Sequence, residues 1–395
     1  MLNTEENMVV TVAFDSGTSG SKVIAGGYLS AEYPYPQTEK FFFIEPFYKQ
    51  LTERTYKQKL GQLDKLLTSL VSFYDRDWGQ VYIEVGESVA EPGMLPVHNL
   101  KSQTLIAKVL SFLGFLSEKS CKRREWELSL GLLLPLDEYS DRKPIENKLR
   151  SILRSGFEYN GQMIDKISLA EENLFFSVEG FGVGTEYNTR SSSEDDRIAV
   201  LVMGHSDSTW LIMKNGVYDL SESVILPETG MHDLLRNINY PIAYELKFAA
   251  ALAKSGKNLK EKPLKEVLAN INQQELERLK IAIIDAREQY WLDLRRRFLS
   301  LKGKDVSKCY ITGGLCNYFS DRLPDLFKQE IDIKLFWCRD LMLDFHSRFD
   351  LKKKTDVLHR FADVYGLYRY LLRTHPETSI SIAPTLQSNL VVKNG

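Results

Sequence analysis

The chain has 395 residues, 43% apolar and 26% charged, with 51 basic against 53 acidic side chains and a formal net charge of −2. That length supports two domains with sizeable cores, and the charge balance excludes a general nucleic-acid coat, which needs a basic excess. No run of about 18 apolar residues is present to span a membrane, the first ten residues lack a signal-peptide pattern, and Cys121, Cys309, Cys316 and Cys338 are scattered, so the expected home is a reducing cytoplasm.

In chain order, the segment Val9–Lys22 (VVTVAFDSGTSGSK) comes first and is the most informative. An apolar, β-branched strand, Val9–Phe14, ends in the acid Asp15. A loop of Ser16, Gly17, Thr18, Ser19, Gly20 and Ser21 follows, and Lys22 closes it seven positions after the acid. Such a loop aims backbone N–H and hydroxyl groups at phosphate oxygens, because glycine lets the backbone turn and approach closely. Val23–Tyr28 returns as the second strand of a hairpin, and Lys40–Pro46 reads as a third. Leucines from Leu60 to Leu70 predict an amphipathic helix over Tyr56–Tyr74. Gln80–Val85 reads as a strand, Leu100–Leu116 as a helix, and Trp126–Leu134 as a buried strand stopped by Pro135. A helix over Pro144–Leu153 and strands over Ile164–Leu169 and Leu174–Val178 complete this half.

The polar stretch Asn188–Arg197 suits a junction or a surface loop equally. The pattern then restarts with strand Ile198–Met203, polar loop Gly204–Thr209 and strand Trp210–Met213. An Asn215-Gly216 hairpin turn and strand Val217–Ser223 come next. This echo of Val9–Tyr28 predicts two related halves, each a mixed sheet with flanking helices. Helices fill much of Gly230–Leu301, with Gln273–Leu299 the clearest. Strand Cys309–Thr312 enters Gly313-Gly314, strand Lys334–Trp337 follows, and a helix over Val357–Leu372 ends the patterned chain. The six histidines lack HExxH or HxH spacing, which argues against a protein-ligated transition metal.

These motifs, in this order, resemble the actin-like ATPase superfamily and, within it, the plasmid-segregation actins of the ParM/StbA type. Asp15–Lys22 resembles the first phosphate loop, Gly204–Thr209 the second, and Ile311-Thr312-Gly313-Gly314 the adenosine motif. Ala362–Gly366 (ADVYG) resembles the second connecting segment, and Pro227–Met231 (PETGM) the turn opening a helix near the nucleotide. The resemblance implies an α/β fold of two lobes, each a ribonuclease H-like domain, around a nucleotide cleft. Domain I would cover residues 1–197 plus 356–395, and domain II residues 198–355.

The resemblance further implies ATP and Mg²⁺ as ligands. Phosphoryl transfer in such a site rests on positioning and electrostatics. Ser16, Gly17, Thr18, Ser19 and Gly20 would cradle phosphates, with Lys22 neutralising their charge. Asp15 would hold Mg²⁺ through its water shell. In isolation Asp15 and Lys22 also suit a turn-capping acid and a surface lysine. Glu179 would orient the attacking water, or serve as an ordinary loop acid. Gly204, His205, Ser206 and Ser208 would complete the phosphate contacts, with Gly230, Met231, Gly313 and Gly314 beside the rest of the nucleotide.

The second loop departs from the family pattern: Val202 stands where an aspartate is usual, and Asp207 is the acid left to compensate. The expected function is an ATP-dependent filament-forming protein, self-associating and segregating a plasmid through a DNA-bound adaptor, with no direct nucleic-acid or membrane contact. The alternative is a nucleotide-binding scaffold with weak or no hydrolysis. A sugar-kinase reading lacks a further catalytic acid, and a chaperone reading lacks chain for a substrate domain.

Overall fold

The computed structural model describes residues 8–28, 38–62, 68–89, 100–119, 125–188, 197–242, 245–268, 271–351 and 358–374. The first half runs β1 (Met8–Asp15), β2 (Ser21–Tyr28), β3 (Thr38–Ile44), β4 (Tyr48–Leu51), α1 (Glu53–Leu60), β5 (Thr68–Asp75), β6 (Gly79–Gly86) and α2 (Lys101–Lys119). It continues with β7 (Trp126–Leu134), α3 (Arg142–Ser155), β8 (Phe157–Tyr159), β9 (Gln162–Ile164), β10 (Ile167–Ser168), β11 (Leu174–Val178) and α4 (Phe181–Asn188). The second half contains β12 (Arg197–Met203), β13 (Ser208–Lys214), β14 (Val217–Leu226), α5 (Met231–Arg236), α6 (Glu245–Ser255), α7 (Glu261–Val267) and α8 (Gln273–Phe298). It closes with β15 (Lys308–Thr312), the one-turn α9 (Leu323–Asp325), β16 (Lys334–Trp337), α10 (Arg339–Arg348) and α11 (Leu358–Thr374).

Two sheets share one topology. In the first, β1, β2 and β3 form an antiparallel meander, and β7 joins β1 in parallel, with β10 and β11 both parallel to β7. In the second, β12, β13 and β14 form the meander, and β15 and β16 extend it in parallel from β12. The restart read from the sequence is therefore a repeat of strand order. A third, antiparallel sheet, ordered β4-β6-β5-β8-β9, is inserted in the first half.

Three apolar clusters hold these layers. One packs α2 and α3 between the first and third sheets, around Phe14, Leu110 and Leu130. A second packs α5–α8 on the second sheet. On α8 the buried residues Leu276, Leu279, Ile283, Ala286, Tyr290, Leu294 and Phe298 recur at helical spacing. Its start is fixed by a reciprocal cap, in which Glu275 N–H donates to Asn272 Oδ1 at 2.9 Å and Asn272 N–H donates to Glu275 Oε2 at 3.1 Å.

The third cluster joins the halves. Ala13, Ile24 and Leu133 of the first sheet and Ile198, Val200 and Leu211 of the second meet α4, α10 and α11. Helix α4 carries the chain out of the first half, and α11 packs across it. At the crossing a Cβ on Gly182 would lie 1.9 Å from Asp363 O, so the two backbones touch and only glycine fits.

Two expectations are corrected. The helix over Tyr56–Tyr74 stops at Leu60, and residues 68–75 form strand β5; residues 63–67 lie outside the described set. The aromatic, β-branched run TSLVSFYD pairs on both sides, with β6 and β8, which overrides its fortuitous leucine spacing. The strand over Ile164–Leu169 is two strands, because β9 closes a hairpin on β8 while β10 joins β7 in the first sheet. Helices α4 and α10 were not expected at all. Among the described residues, no helix is long and apolar enough to cross a membrane.

Candidate functional site

The carboxyl ends of parallel strands are where α/β sheets hold ligands, and here the two sets of strand ends face one another across a cleft of about 420 Å³. Asp15 ends β1, Glu179 follows β11, Val202 lies near the end of β12, and Thr312-Gly313-Gly314 follow β15; all line the cleft.

In the first loop, Gly20 N–H donates to Gly17 O at 3.1 Å, closing the turn. Lys22 Nζ donates to Asp15 Oδ2 at 3.0 Å. Asp15 Oδ1, Ser16 Oγ and Ser21 Oγ are buried without a hydrogen-bond partner among the described residues. Buried polar groups are normally paired, and of these three residues only Asp15 lines the cleft, so its Oδ1 is the one a ligand in the cleft would satisfy. Asp15, Gly17, Thr18, Ser19 and Lys22 line the cleft, while Ser16 and Gly20 stand behind it.

In the second loop, Gly204 N–H donates to Asp207 O at 2.9 Å. Ser206 Oγ donates to Thr18 Oγ1 at 3.1 Å, joining the two loops directly. Gly204, His205, Ser206 and Asp207 line the cleft. Ser208 does not: it is fully buried, and its N–H and Oγ donate to Thr229 Oγ1 and Thr229 O. Gly230 starts α5, its N–H donating to Asp233 Oδ2, and Met231 reaches the cleft wall. Gly313, at φ +101°, lies against β12 where a Cβ would stand 2.2 Å from Met203 O, so this glycine is required by backbone approach. Gly314 beside it has room.

Register locates the departure in the second loop. Asp15 pairs with Lys22 across the first hairpin and Val202 pairs with Thr209 across the second, each pair spanning six intervening residues. Val202 thus occupies the position of Asp15 in the repeated half, with a side chain that cannot ionise. Asp207 is the acid of that loop. Burial raises its pKa, and Asp233 pushes the same way.

Several cleft residues carry no sequence motif. Lys101, the first residue of α2, forms an ion pair with Glu179, their side chains 18% and 14% exposed. Burial alone would lower the Lys101 pKa, but Glu179 and Asp15 hold it above the ordinary value. Glu138 accepts the N–H groups of Lys101 (3.1 Å) and Ser102 (2.5 Å), capping α2. Arg360, in the first turn of α11, donates to Ser19 O at 3.2 Å and Ser19 Oγ at 3.0 Å, and lies 4.7 Å over the Phe43 ring. Lys22, Lys101, Lys247 and Arg360 give the cleft four cations.

Asp363 accepts from Gly180 N–H at 2.6 Å and Val183 N–H at 3.1 Å, satisfying the start of α4. Burial nevertheless raises its carboxyl pKa to about 7. His359, whose carbonyl accepts from Thr312 Oγ1 and Gly313 N–H, is pushed down to about 4 by burial.

On the far wall, Glu245 Oε1 receives both His205 Nε2 at 2.8 Å and His232 Nδ1 at 2.9 Å. The two imidazoles hold the Glu245 pKa below its ordinary value against the effect of burial.

No protein-family model and no curated protein sequence matches the chain. Solved structures do. A ParM from Bacillus thuringiensis with ATP aligns over 93% of this chain and 100% of its own, at 11% identity and TM-score 0.55. The actin-like protein Alp7A aligns over 94% and 98%, at 12% identity and TM-score 0.56. A 15-stranded ParM filament from Clostridium botulinum aligns over 92% and 99%, at 14% identity and TM-score 0.54. With its twice-repeated sheet, crossing helices and facing loops, this chain has the two-lobed α/β fold of the actin-like proteins.

Proposed function

We propose that the protein is an actin-like ATPase that binds Mg-ATP in this cleft, assembles into filaments and segregates a plasmid through a DNA-bound adaptor. One observation carries the nucleotide reading: two loops at equivalent positions of a repeated sheet meet across the cleft, Ser206 on Thr18, above a buried carboxylate oxygen without a partner. The two lobes proposed are residues 1–197 with 356–395, and 198–355. The filament part is supported by the fold and by the similar structures, which include a ParM filament and a ParM with ATP; the adaptor and a cytoplasmic home follow from the resemblance of the motifs alone.

The unpartnered Asp15 Oδ1 and the acids around it suit a hydrated divalent cation, which Mg²⁺ prefers to remain. When bound, Mg²⁺ would neutralise phosphate charge. The N–H groups of residues 17–19 orient the phosphates, with the Thr18, Ser19 and Ser206 hydroxyls lining the same cleft. Lys22, Lys101 and Arg360 offset their negative charge. Glu179, positioned by Lys101, holds the attacking water. The test is phosphate release against protein concentration in excess Mg-ATP. A rate per molecule that rises above a threshold concentration is expected, and absence of both release and nucleotide binding refutes the reading.

Val202 favours a second reading, a nucleotide-binding scaffold with slow turnover. In that case nucleotide binds and filaments form, but release stays negligible at every concentration.

A further inference from the structure

We propose that His205, His232 and Glu245 form a binding site for a single transition-metal ion of the zinc type, separate from the cation expected beside Asp15. The three residues come from the loop after β12, from α5 and from the start of α6. Their donor atoms lie within 4.8 Å of one another. The side chains are 4%, 15% and 11% exposed, so the groups are withdrawn from bulk water.

Two imidazole nitrogens and one carboxylate oxygen suit zinc and its neighbours rather than magnesium, which selects oxygen donors. The set matches the three-ligand zinc sites that keep a fourth position open. Zinc–ligand distances of about 2.0–2.2 Å in tetrahedral geometry place neighbouring donors about 3.3 Å apart. The observed separations of 2.8 and 2.9 Å reach that value by a few tenths of an ångström of outward movement. The backbone already holds the two histidines together, since His232 N–H donates to His205 O at 2.8 Å. His205 and Glu245 line the cleft, from which water or a ligand group can reach the ion's open position. Binding displaces the protons shared between the carboxylate and the imidazoles, which makes affinity fall with acid.

A spacing search misses this set because Glu245 follows His205 by 40 residues and His232 by 13. The ion would fasten the second loop to α5 and α6, adding to the apolar packing these segments already share.

The test uses the full chain, freed of metal by chelation and titrated with Zn²⁺ against a chromophoric competitor, without nucleotide. It is therefore independent of the nucleotide reading. One equivalent is expected to bind, weakened on the order of 100-fold in both His232→Ala and Glu245→Gln. The second substitution preserves shape, and far-ultraviolet circular dichroism checks that each variant is folded. Co²⁺ in place of Zn²⁺ should give a visible spectrum without the thiolate charge-transfer band. Equal affinity in the folded variants, no binding in the wild type, or a thiolate band from the cysteines would each overturn the assignment.

Discussion

Replacing Lys101 with methionine removes the cation that holds Glu179 and leaves that carboxylate near Asp15 and Glu138. Breaking a buried ion pair from one side costs about 3–5 kcal/mol. Side-chain exposures of 18% and 14% admit some water, which reduces the expected loss to about 2 kcal/mol. Glu179→Gln should cost less, because Lys101 keeps the attraction of Asp15 and Glu138. The double variant isolates the pair. With each protein unfolded in urea, the sum of the single losses should exceed the double loss by more than 1 kcal/mol, a coupling typical of contacting groups. The coupling should change little with salt, because partly buried pairs are weakly screened. A coupling below about 0.5 kcal/mol, the range of independent sites, would refute the claim that Lys101 positions Glu179.

Asp15→Ala should abolish Mg-ATP binding in a calorimetric titration, since it removes the carboxylate oxygen left unpartnered in the cleft; unchanged affinity counts against that role. Gly182→Ala should lower stability by about 3 kcal/mol or more, because its Cβ meets the α11 backbone rather than a side chain that can move; a shift under 0.5 kcal/mol in denaturant would contradict the crossing. His359 is held neutral by burial, its pKa lowered from 6.5 to about 4. The unfolded chain therefore takes up the proton first, and this group's contribution to stability, full above pH 6.5, is lost as pH falls toward 4. The loss is on the order of 2 kcal/mol after allowance for partial exposure. Wild type and His359→Gln should thus converge in stability on acidification, and parallel pH curves would refute it.

The first loop was legible because one short segment carries strand, acid, glycine turn and lysine, and all of its chemistry is local. The repeat was legible for the same reason, since β12, its loop and β13 reproduce that local pattern. Lys101 and Glu179 lie 78 residues apart, and Arg360 meets Ser19 across 341 residues, so neither contact leaves a mark in the sequence. Helix α4 was hidden by its own composition: FGVGTEYN has two glycines and poor intrinsic propensity. Packing against α11 and capping by Asp363 stabilise it, and both are tertiary. Ser208 looked like a phosphate donor from its place in a polar loop, yet alternation within β13 turns it inward to Thr229.

The two halves repeat a strand order but not a charge. At matched register the first half presents Asp15 and the second Val202, so any cation between the loops is held by a strand-end carboxylate from one side only. Val202→Asp restores the symmetric arrangement. Without cation the new carboxylate adds repulsion in a cleft that already holds Asp207 and Glu179, so the melting temperature should fall. Excess Mg²⁺ with nucleotide should reverse that fall, because a ligand that binds only the folded state stabilises it by mass action. The cation-dependent rise in melting temperature should therefore be larger in Val202→Asp than in the wild type, and phosphate release should quicken. A larger rise without faster release would show that the second acid binds the cation but that turnover is limited elsewhere. No change in either quantity would mean that Val202 does not face the phosphates, and the register argument that pairs it with Asp15 would fail.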